Sequence, residues 1–144
     1  MRVYLDNCCF NRPFDNQLQL RIKLETEAKL HIQDLIRSLK IELVWSYILD
    51  YENDMNPFKE RRYNISLWKP LAVTFVSETD DITNEAEKIK TTGIKPKDSL
   101  HLACAKAAQC DYFFTTDDVI IKRRSLFNDI AIMNPVEFIT GEQK

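Results

Sequence analysis

Short apolar runs alternate along the chain with longer stretches in which apolar residues recur at helical spacing. The short runs, at residues 1–5, 41–45, 72–76, 112–116 and 130–133, are rich in β-branched and aromatic residues and predict strands. The longest helical pattern covers about residues 18–39, where apolar side chains fall near one face. These are Ile22, Ala28, Ile32, Leu35, Ile36 and Leu39. The alternation of strands and helices predicts an α/β fold with a mostly parallel sheet.

Capping residues and prolines place the other predicted helices. Ser46 is a suitable N-cap for YILDYEND, and Pro57 suits the start of PFKERRYNISLW. Ser77 and Thr79 precede a helix that contains EAEKIK and ends near Gly93. Pro96 opens KDSLHLACAKAAQ, whereas residues 7–16 are polar and contain a proline, so they are predicted to form a loop.

Length and composition favour one globular domain spanning residues 1–144. The chain has 44% apolar and 29% charged residues, enough to bury a core without covalent cross-links. Its two glycines exclude Gly-rich phosphate-binding loops. No apolar run is long enough to span a bilayer, and the N-terminus does not resemble a signal peptide, so we expect a cytoplasmic protein without membrane contact.

Cysteine spacing and net charge narrow the possible sites. The cysteines are Cys8, Cys9, Cys104 and Cys110. They form no C-x-x-C pair, so free thiols are favoured over a zinc site. The net charge of −2 means that any nucleic-acid site must be a local patch.

Acidic residues occupy positions that the α/β pattern brings to one edge of the sheet. Asp6 ends the first strand, Asp117 and Asp118 follow the fourth, and Glu52 and Asp98 lie on helices. In parallel sheets, sites lie beyond the carboxyl ends of the strands. Clustered carboxylates repel one another, and Mg²⁺ or Mn²⁺ would relieve that repulsion because hard cations prefer oxygen ligands.

Each acid also has a purely structural interpretation. Asp6 could form a turn, Asp98 could interact with a helix dipole, and Glu52 could be a solvated helix residue. Asp117 or Asp118 could cap the following helix. Taken singly, these positions leave the choice between structure and chemistry open.

Several motifs together resemble the PIN-domain family. They are VYLDNCCFNRPFD, the pairing of Ser46 with Glu52, KPKDSLHLACA and YFFTTDD, and the resemblance covers Val3 to about Met133. It implies a compact α/β nuclease fold with a parallel sheet and an acidic metal site. By motif, Asp6, Asp98 and Asp117 match the family's acids at the first strand, the long helix and the T-x-D turn, and Glu52 matches its helix glutamate. The resemblance implies that these four residues are both catalytic and metal-binding.

The resemblance also implies an activity and partners. The expected activity is Mg²⁺- or Mn²⁺-dependent hydrolysis of phosphodiester bonds, with single-stranded RNA as the expected substrate. The expected role is that of a toxin paired with an antitoxin protein. A homodimer is also expected. Two alternatives stand beside it: a PIN-like domain that binds nucleic acid or protein without cutting, and a signalling receiver domain. The receiver is disfavoured because Asp6 is followed by Asn7 and the strand at residues 41–45 is followed by Ser46, where a receiver needs acids.

Other polar residues near the motifs keep two interpretations. Asn7 stands where many PIN domains carry a small hydroxyl residue, and it could replace that residue as a hydrogen-bond partner. His101 shares a helix face with Asp98, so it could act at the site or simply be packed. Glu25 could face the loop that holds Arg12. Basic residues could contact phosphates or form a solvated face: Arg12, Arg61, Arg62, Lys122, Arg123 and Arg124.

Overall fold

A parallel five-stranded sheet forms the centre of the computed structural model, which describes residues 1–142. The strands are β1 (Arg2–Leu5), β2 (Glu42–Ser46), β3 (Thr74–Val76), β4 (Tyr112–Phe114) and β5 (Ala131–Met133). Their spatial order is β3-β2-β1-β4-β5, and every neighbouring pair is parallel. The predicted α/β fold with a mostly parallel sheet is confirmed.

Helices connect the strands and cover the sheet. In the described residues they are α1 (Asn7–Asn11), α2 (Leu20–Arg37), α3 (Tyr47–Asp54), α4 (Lys59–Ser66), α5 (Asp80–Lys90), α6 (Pro96–Ala107), α7 (Asp118–Lys122) and α8 (Pro135–Glu142). Short 3₁₀ turns lie at Arg12–Phe14, Lys69–Leu71 and Arg124–Leu126. No helix within residues 1–142 is long and apolar enough to cross a membrane.

The order of the strands creates a crevice beside the end of β1. The chain passes from β1 to β2 on one side and later returns to place β4 on the other. Leu5 is paired with Phe114, and the Asp6 amide donates a hydrogen bond to the Phe114 carbonyl at 2.9 Å. Because β2 and β4 lie on opposite sides of β1, the order of the strands reverses between β1 and β4. In open α/β sheets, ligands bind at the carboxyl ends of the strands at such a point.

Aromatic side chains fix the two central strands against their surroundings. The buried ring of Tyr4 stacks on Phe113 with centroids 5.4 Å apart, and Phe10 packs against Trp45 at 5.2 Å. Such pairs stabilise a core by about 0.5–1.5 kcal/mol beyond the area they bury. The backbone around Asp6 is consequently held from both sides of the sheet.

The predicted loop at residues 7–16 is wrong in its first half. Asn7–Asn11 forms α1, and the Asp6 carboxylate caps it by accepting a hydrogen bond from the Asn7 amide at 2.8 Å. Only Cys9 and Phe10 of α1 are buried, so five residues show no helical periodicity that the sequence could reveal. A helix this short depends on its cap and on packing.

Other boundaries shift by one or a few residues. The helix predicted at 18–39 runs from Leu20 to Arg37, and Leu39 is 87% exposed with a positive φ of 61°. Pro57 lies before α4 rather than in it. The helix α8 was not predicted, since the last element expected from the sequence was the strand at residues 130–133; Pro135 begins a helix that packs on α2.

Candidate metal centre

The Asp6 carboxylate lies buried at the crevice and is fully engaged by neighbouring donors. Its Oδ1 accepts from the Asn7 amide, while its Oδ2 accepts from the Thr115 hydroxyl at 3.0 Å and from the Cys8 thiol at 3.5 Å. Burial raises the pKa of Asp6, and the positive charge of His101 and the Thr115 hydrogen bond oppose that rise. A carboxylate held in this way is oriented by its donors and is costly to keep ionised.

The helix α3 brings Glu52 to the same place and leaves it partly buried, whereas Tyr51 and Asp54 on that helix are exposed. Its Oε2 accepts a hydrogen bond from Asn7 Nδ2 at 3.1 Å, and its Oε1 is hydrogen-bonded to His101 Nε2. That nitrogen is also 3.7 Å from Asp6 Oδ1. Burial alone would raise the pKa of Glu52, but the hydrogen bond and charge of His101 hold it below its ordinary value.

A buried chain of hydrogen bonds fixes His101 from behind. The Tyr4 hydroxyl is hydrogen-bonded to His101 Nδ1 and to Ser46 Oγ, both at 2.6 Å. Ser46 Oγ also accepts from the Leu49 amide at 3.3 Å, as predicted for the N-cap of α3. Burial lowers the pKa of His101, yet Glu52 and Asp6 outweigh that effect and raise it. The two carboxylates therefore favour the protonated, positively charged form of the imidazole.

Asp98 lies in the first turn of α6 and senses the other acids electrostatically. Burial raises its pKa to about 6, and the negative charges of Asp6, Asp117 and Glu52 add to the rise. The helix-start position that the sequence suggested is correct. A carboxylate that did no more than interact with a helix dipole would be expected to have a lowered pKa. The raised pKa of Asp98 therefore indicates that the neighbouring acids act on it as well.

Asp117 caps α7 and is linked to Asp6 through one threonine. Its Oδ1 accepts from the amides of Val119 and Ile120 at 2.8 and 3.4 Å, while its own amide donates to Thr115 Oγ1 at 3.1 Å. Thr115 thus donates to Asp6 and accepts from the Asp117 backbone. The cap that the sequence left open belongs to Asp117, while the Asp118 carboxylate is bound by Arg21 at 2.8–2.9 Å.

The candidate acids are joined in two different ways. Asp6 and Glu52 both contact Asn7 and His101, and Thr115 links Asp6 to the backbone of Asp117. Asp98 is coupled to the other three acids by charge, which raises its pKa. Within residues 1–142, no group of three or more His, Cys, Asp and Glu side chains is already arranged to ligate a metal ion. The carboxylates instead face hydrogen-bond donors.

The donor chemistry at the crevice nevertheless fits a hard divalent cation. Asn7 Oδ1 is buried and has no hydrogen-bond partner in the described part of the chain, although the Nδ2 of the same amide holds Glu52. An unpaired buried oxygen is costly, and it needs a water or a cation. Amide and carboxylate oxygens are ligands that Mg²⁺ and Mn²⁺ prefer. Asn7, which the sequence suggested as a hydrogen-bond partner, is therefore also a candidate ligand.

The cysteines beside the site play different parts, and all four are free thiols. Cys8 is partly exposed and contacts Asp6, whereas Cys9 is buried and donates to the Phe114 carbonyl at 3.4 Å. Burial raises the pKa of Cys9 well above its ordinary value. Cys9 thus packs as a small apolar side chain, and Cys8 is a weak donor to the site.

Most of the basic residues proposed for phosphate contact are bound within the protein. Arg12 pairs with Glu25 and Asp15, and Arg61 pairs with Asp15. Backbone carbonyls or Glu137 hold the guanidinium groups of Arg62, Arg123 and Arg124. Lys97 was not singled out from the sequence, but it is exposed and its charge helps to lower the pKa of Glu52.

Sequence reasoning missed Tyr4 and gave Thr115 no separate role. Tyr4 occupies a strand position between Val3 and Leu5 and was given no role at the site. Its hydroxyl was the available signal, because a buried phenol needs a partner. Thr115 was visible only as part of the T-x-D turn, and its side-chain direction comes from the end of β4.

Replacing Asp98 with Asn is expected to stabilise the protein near neutral pH. The folded-state pKa of about 6 lies above the ordinary 3.8, so the native state binds more protons than the unfolded state between these values. Stability contributed by Asp98 therefore falls as pH rises through that window. With solvent screening considered, the gain in Asp98→Asn is about 1–2 kcal/mol above pH 7 and disappears near pH 4.

Chemical denaturation across this pH range measures the effect. The matched control is Asp81→Asn, since Asp81 is an exposed acid in the first turn of α5 and is not among the acids that raise the pKa of Asp98. Asp81→Asn should be neutral or slightly destabilising at every pH above 5. Identical pH profiles for the two variants would show that Asp98 is not electrostatically coupled to the other acids.

Comparisons with known proteins agree with this architecture. No curated protein matches the sequence significantly. Solved structures that match in fold include VapBC2 from Rickettsia felis bound to a DNA fragment from the promoter, with 15% identity, and VapBC-1 from nontypeable Haemophilus influenzae, with 16%. Each gives a TM-score of 0.56; the matches cover 93% and 94% of this chain and 98% of each matched chain. The PIN-domain sequence profile matches residues 3–125, and the chain belongs to the PIN-domain family.

Proposed function

We propose that the protein is a metal-dependent nuclease that hydrolyses phosphodiester bonds in single-stranded RNA. The main observation in support is the acidic crevice at the ends of β1 and β4. There, buried Asp6 and half-buried Glu52 share His101 as a positive neighbour. PIN domains are generally nucleases, and this chain retains an acid at each of the positions Asp6, Glu52, Asp98 and Asp117.

Those four carboxylates, with Asn7 Oδ1, are the groups proposed to hold Mg²⁺ or Mn²⁺. Such an ion would supply Lewis-acid stabilisation of phosphate oxygens and a lowered pKa for an attacking water. The like charges that raise the pKa of Asp98 are a reason for a cation to bind there.

The protein's own residues orient and balance the acids in this proposal. Thr115 and the Asn7 amide fix the two oxygens of Asp6, and the Tyr4–His101 pair limits the movement of Glu52. Without a bound cation, His101 offsets part of the negative charge of Asp6 and Glu52. Exposed Lys97, whose charge acts on Glu52, is placed to attract a phosphate backbone, where cations give affinity without sequence preference.

The proposal also covers the partners of the protein and its place in the cell. The fold neighbours are VapBC structures, which supports an antitoxin protein as a partner of this chain and a role as a toxin. We also propose that residues 1–144 act as one domain, that the protein works in the cytoplasm and that it forms a homodimer.

Incubating the pure protein with a labelled single-stranded RNA library tests the activity. We expect cleavage with Mn²⁺ or Mg²⁺ and none with a chelator, since catalysis by four carboxylates without a cation would place negative groups against a phosphate. Single-stranded DNA of the same sequences serves as the substrate control. Cleavage that persists in chelator would contradict metal dependence, and equal cleavage of DNA would contradict the preference for RNA.

A PIN domain that binds without cutting is the alternative, and thermal melting separates it from an inactive preparation. A cation that binds only the folded state stabilises it by RT ln(1 + [L]/Kd), about 2.7 kcal/mol at a hundredfold excess over Kd. A Mn²⁺-induced rise in Tm that Asp98→Asn reduces, without RNA cleavage, would identify a metal-binding but silent domain. No rise and no cleavage would reject the proposed function.

A further inference from the structure

A second cavity lies between α2 and α4, lined by residues that the proposed nuclease chemistry does not use. Its volume is about 330 Å³, within the range of small-molecule sites. Aromatic rings form much of the wall: Phe10, Phe14 and Trp68. Within the described chain, no aspartate or glutamate lines it. The cavity is therefore aromatic in its walls and free of negative charge.

A buried lysine in this cavity lacks an anionic partner. Lys29 is 3% exposed, and no hydrogen bond or ion pair to its ammonium group exists within the described chain. Its Nζ lies 5.5 Å from the Phe10 ring centroid and 5.7 Å from that of Trp68. Cation–π attraction offsets part of the cost of burying the side chain, and an anionic partner would offset more of it.

A second donor in the same cavity is also unsatisfied. Gln33 lies one helical turn from Lys29 on α2 and is 2% exposed, and its Nε2 has no hydrogen-bond partner in the residues described. Buried amide nitrogens are normally paired, so an orphan points to a ligand or a water. Two independent donors of one helix face thus line one cavity without acceptors.

The charges around Lys29 are consistent with an anionic occupant. Burial, with a smaller contribution from the nearby Arg37 that also lines the cavity, lowers its pKa to about 8. Lys29 is therefore still mostly charged near neutral pH. Arg37 stacks over Trp68 at 4.7 Å and reaches Asp34 at 3.5 Å, outside the cavity lining.

We propose that this cavity binds a small organic anion, a planar apolar body that carries a carboxylate or phosphate group. The acid group would accept hydrogen bonds from Lys29 and Gln33, and the apolar body would pack against Phe10, Phe14 and Trp68. The ion pair would supply the acceptor that both buried donors lack. This site is separate from the acidic crevice and does not depend on nuclease activity.

Calorimetric titration of the full chain with three matched probes tests the proposal. The probes are 2-naphthoate, 2-naphthyl phosphate and the neutral 2-naphthamide, which share one ring system. We expect at least one anion to bind with a stoichiometry near one and about tenfold or more tighter than the amide, since hydrogen bonds to charged groups are the stronger ones. The better of the two anions identifies the acid group.

Variants on α2 locate the binding. Lys29→Met should weaken anion binding about tenfold or more and leave the amide unchanged, and Gln33→Leu should weaken it less. Neither change should unfold the protein, because each removes an unsatisfied polar group. Lys23→Met, at an exposed position of the same helix, is the charge-matched control and should bind like wild type. Equal affinity for acids and amide, no binding at millimolar concentration, or wild-type binding by Lys29→Met would each overturn the proposal.

Discussion

Asp6→Asn is expected to abolish RNA cleavage and to leave the protein folded. The change keeps the size of the side chain and an oxygen that can still accept from the Asn7 amide, so α1 keeps its cap. It removes one charged ligand from the proposed cation site. Loss of residues that merely support metal ligands costs about 10–100-fold, and we expect at least a hundredfold loss here.

Stability should be unchanged or higher in Asp6→Asn near neutral pH. Burial raises the pKa of Asp6, so the ionised group opposes folding once the pH exceeds its folded-state pKa, and the variant removes that opposition. The control is Asp54→Asn, an exposed acid on the helix that carries Glu52, and it should cut RNA at the wild-type rate. Wild-type cleavage by Asp6→Asn would show that Asp6 is no ligand. A large fall in Tm would assign it to the turn instead.

Glu25→Ala is expected to cost the largest amount of stability of any single change considered. Glu25 is 1% exposed and accepts from Arg12 at 3.0 Å and Arg21 at 3.3 Å, and Asn134 Nδ2 also donates to it. The side chain therefore connects α2 to the turn after α1 and to the segment before α8. Breaking a buried ion pair by removing one partner costs about 3–5 kcal/mol.

Urea denaturation measures this cost, and Glu27→Ala supplies the comparison. Glu27 is exposed on the same helix, so its removal should change the free energy of unfolding by less than about 0.5 kcal/mol. Cleavage per folded molecule should stay near wild type in Glu25→Ala, because Glu25 belongs to this structural ion cluster and makes no contact with the acidic crevice. A selective loss of cleavage without a loss of stability would place Glu25 in the catalytic machinery.

The fold could be predicted from periodicity because each long element buries one regular face. The strands β1 and β2 and the helices α2 and α6 appear near their predicted positions. The missed elements are α1, which is five residues long, and α8, which begins at a proline. Short or terminal helices are held by caps and tertiary packing, and these depend on residues distant in the sequence.

The acids of the site could be predicted, but the network that holds them could not. Asp6 and Asp117 follow strands and Asp98 lies in the first turn of α6, so their positions are visible in the sequence. Glu52 lies late in α3 and was found through its motif. The bond of Tyr4 to His101 joins residues 97 positions apart, and the bond of Thr115 to Asp6 spans 109. No local pattern encodes such pairings. They arise only when α6 and the end of β4 pack beside β1.

The central position of β1 has a consequence for synthesis on the ribosome. The first strand to emerge must wait for β4, more than 100 residues later, before its second edge is covered. Contacts so distant in sequence form late, since loop closure precedes the pairing that rewards it. A nascent chain that stops before Asp98 lacks half of the acidic crevice as well as Thr115 and His101. If the protein cuts RNA, it is therefore harmless to the message from which it is being translated until nearly the whole domain has been made.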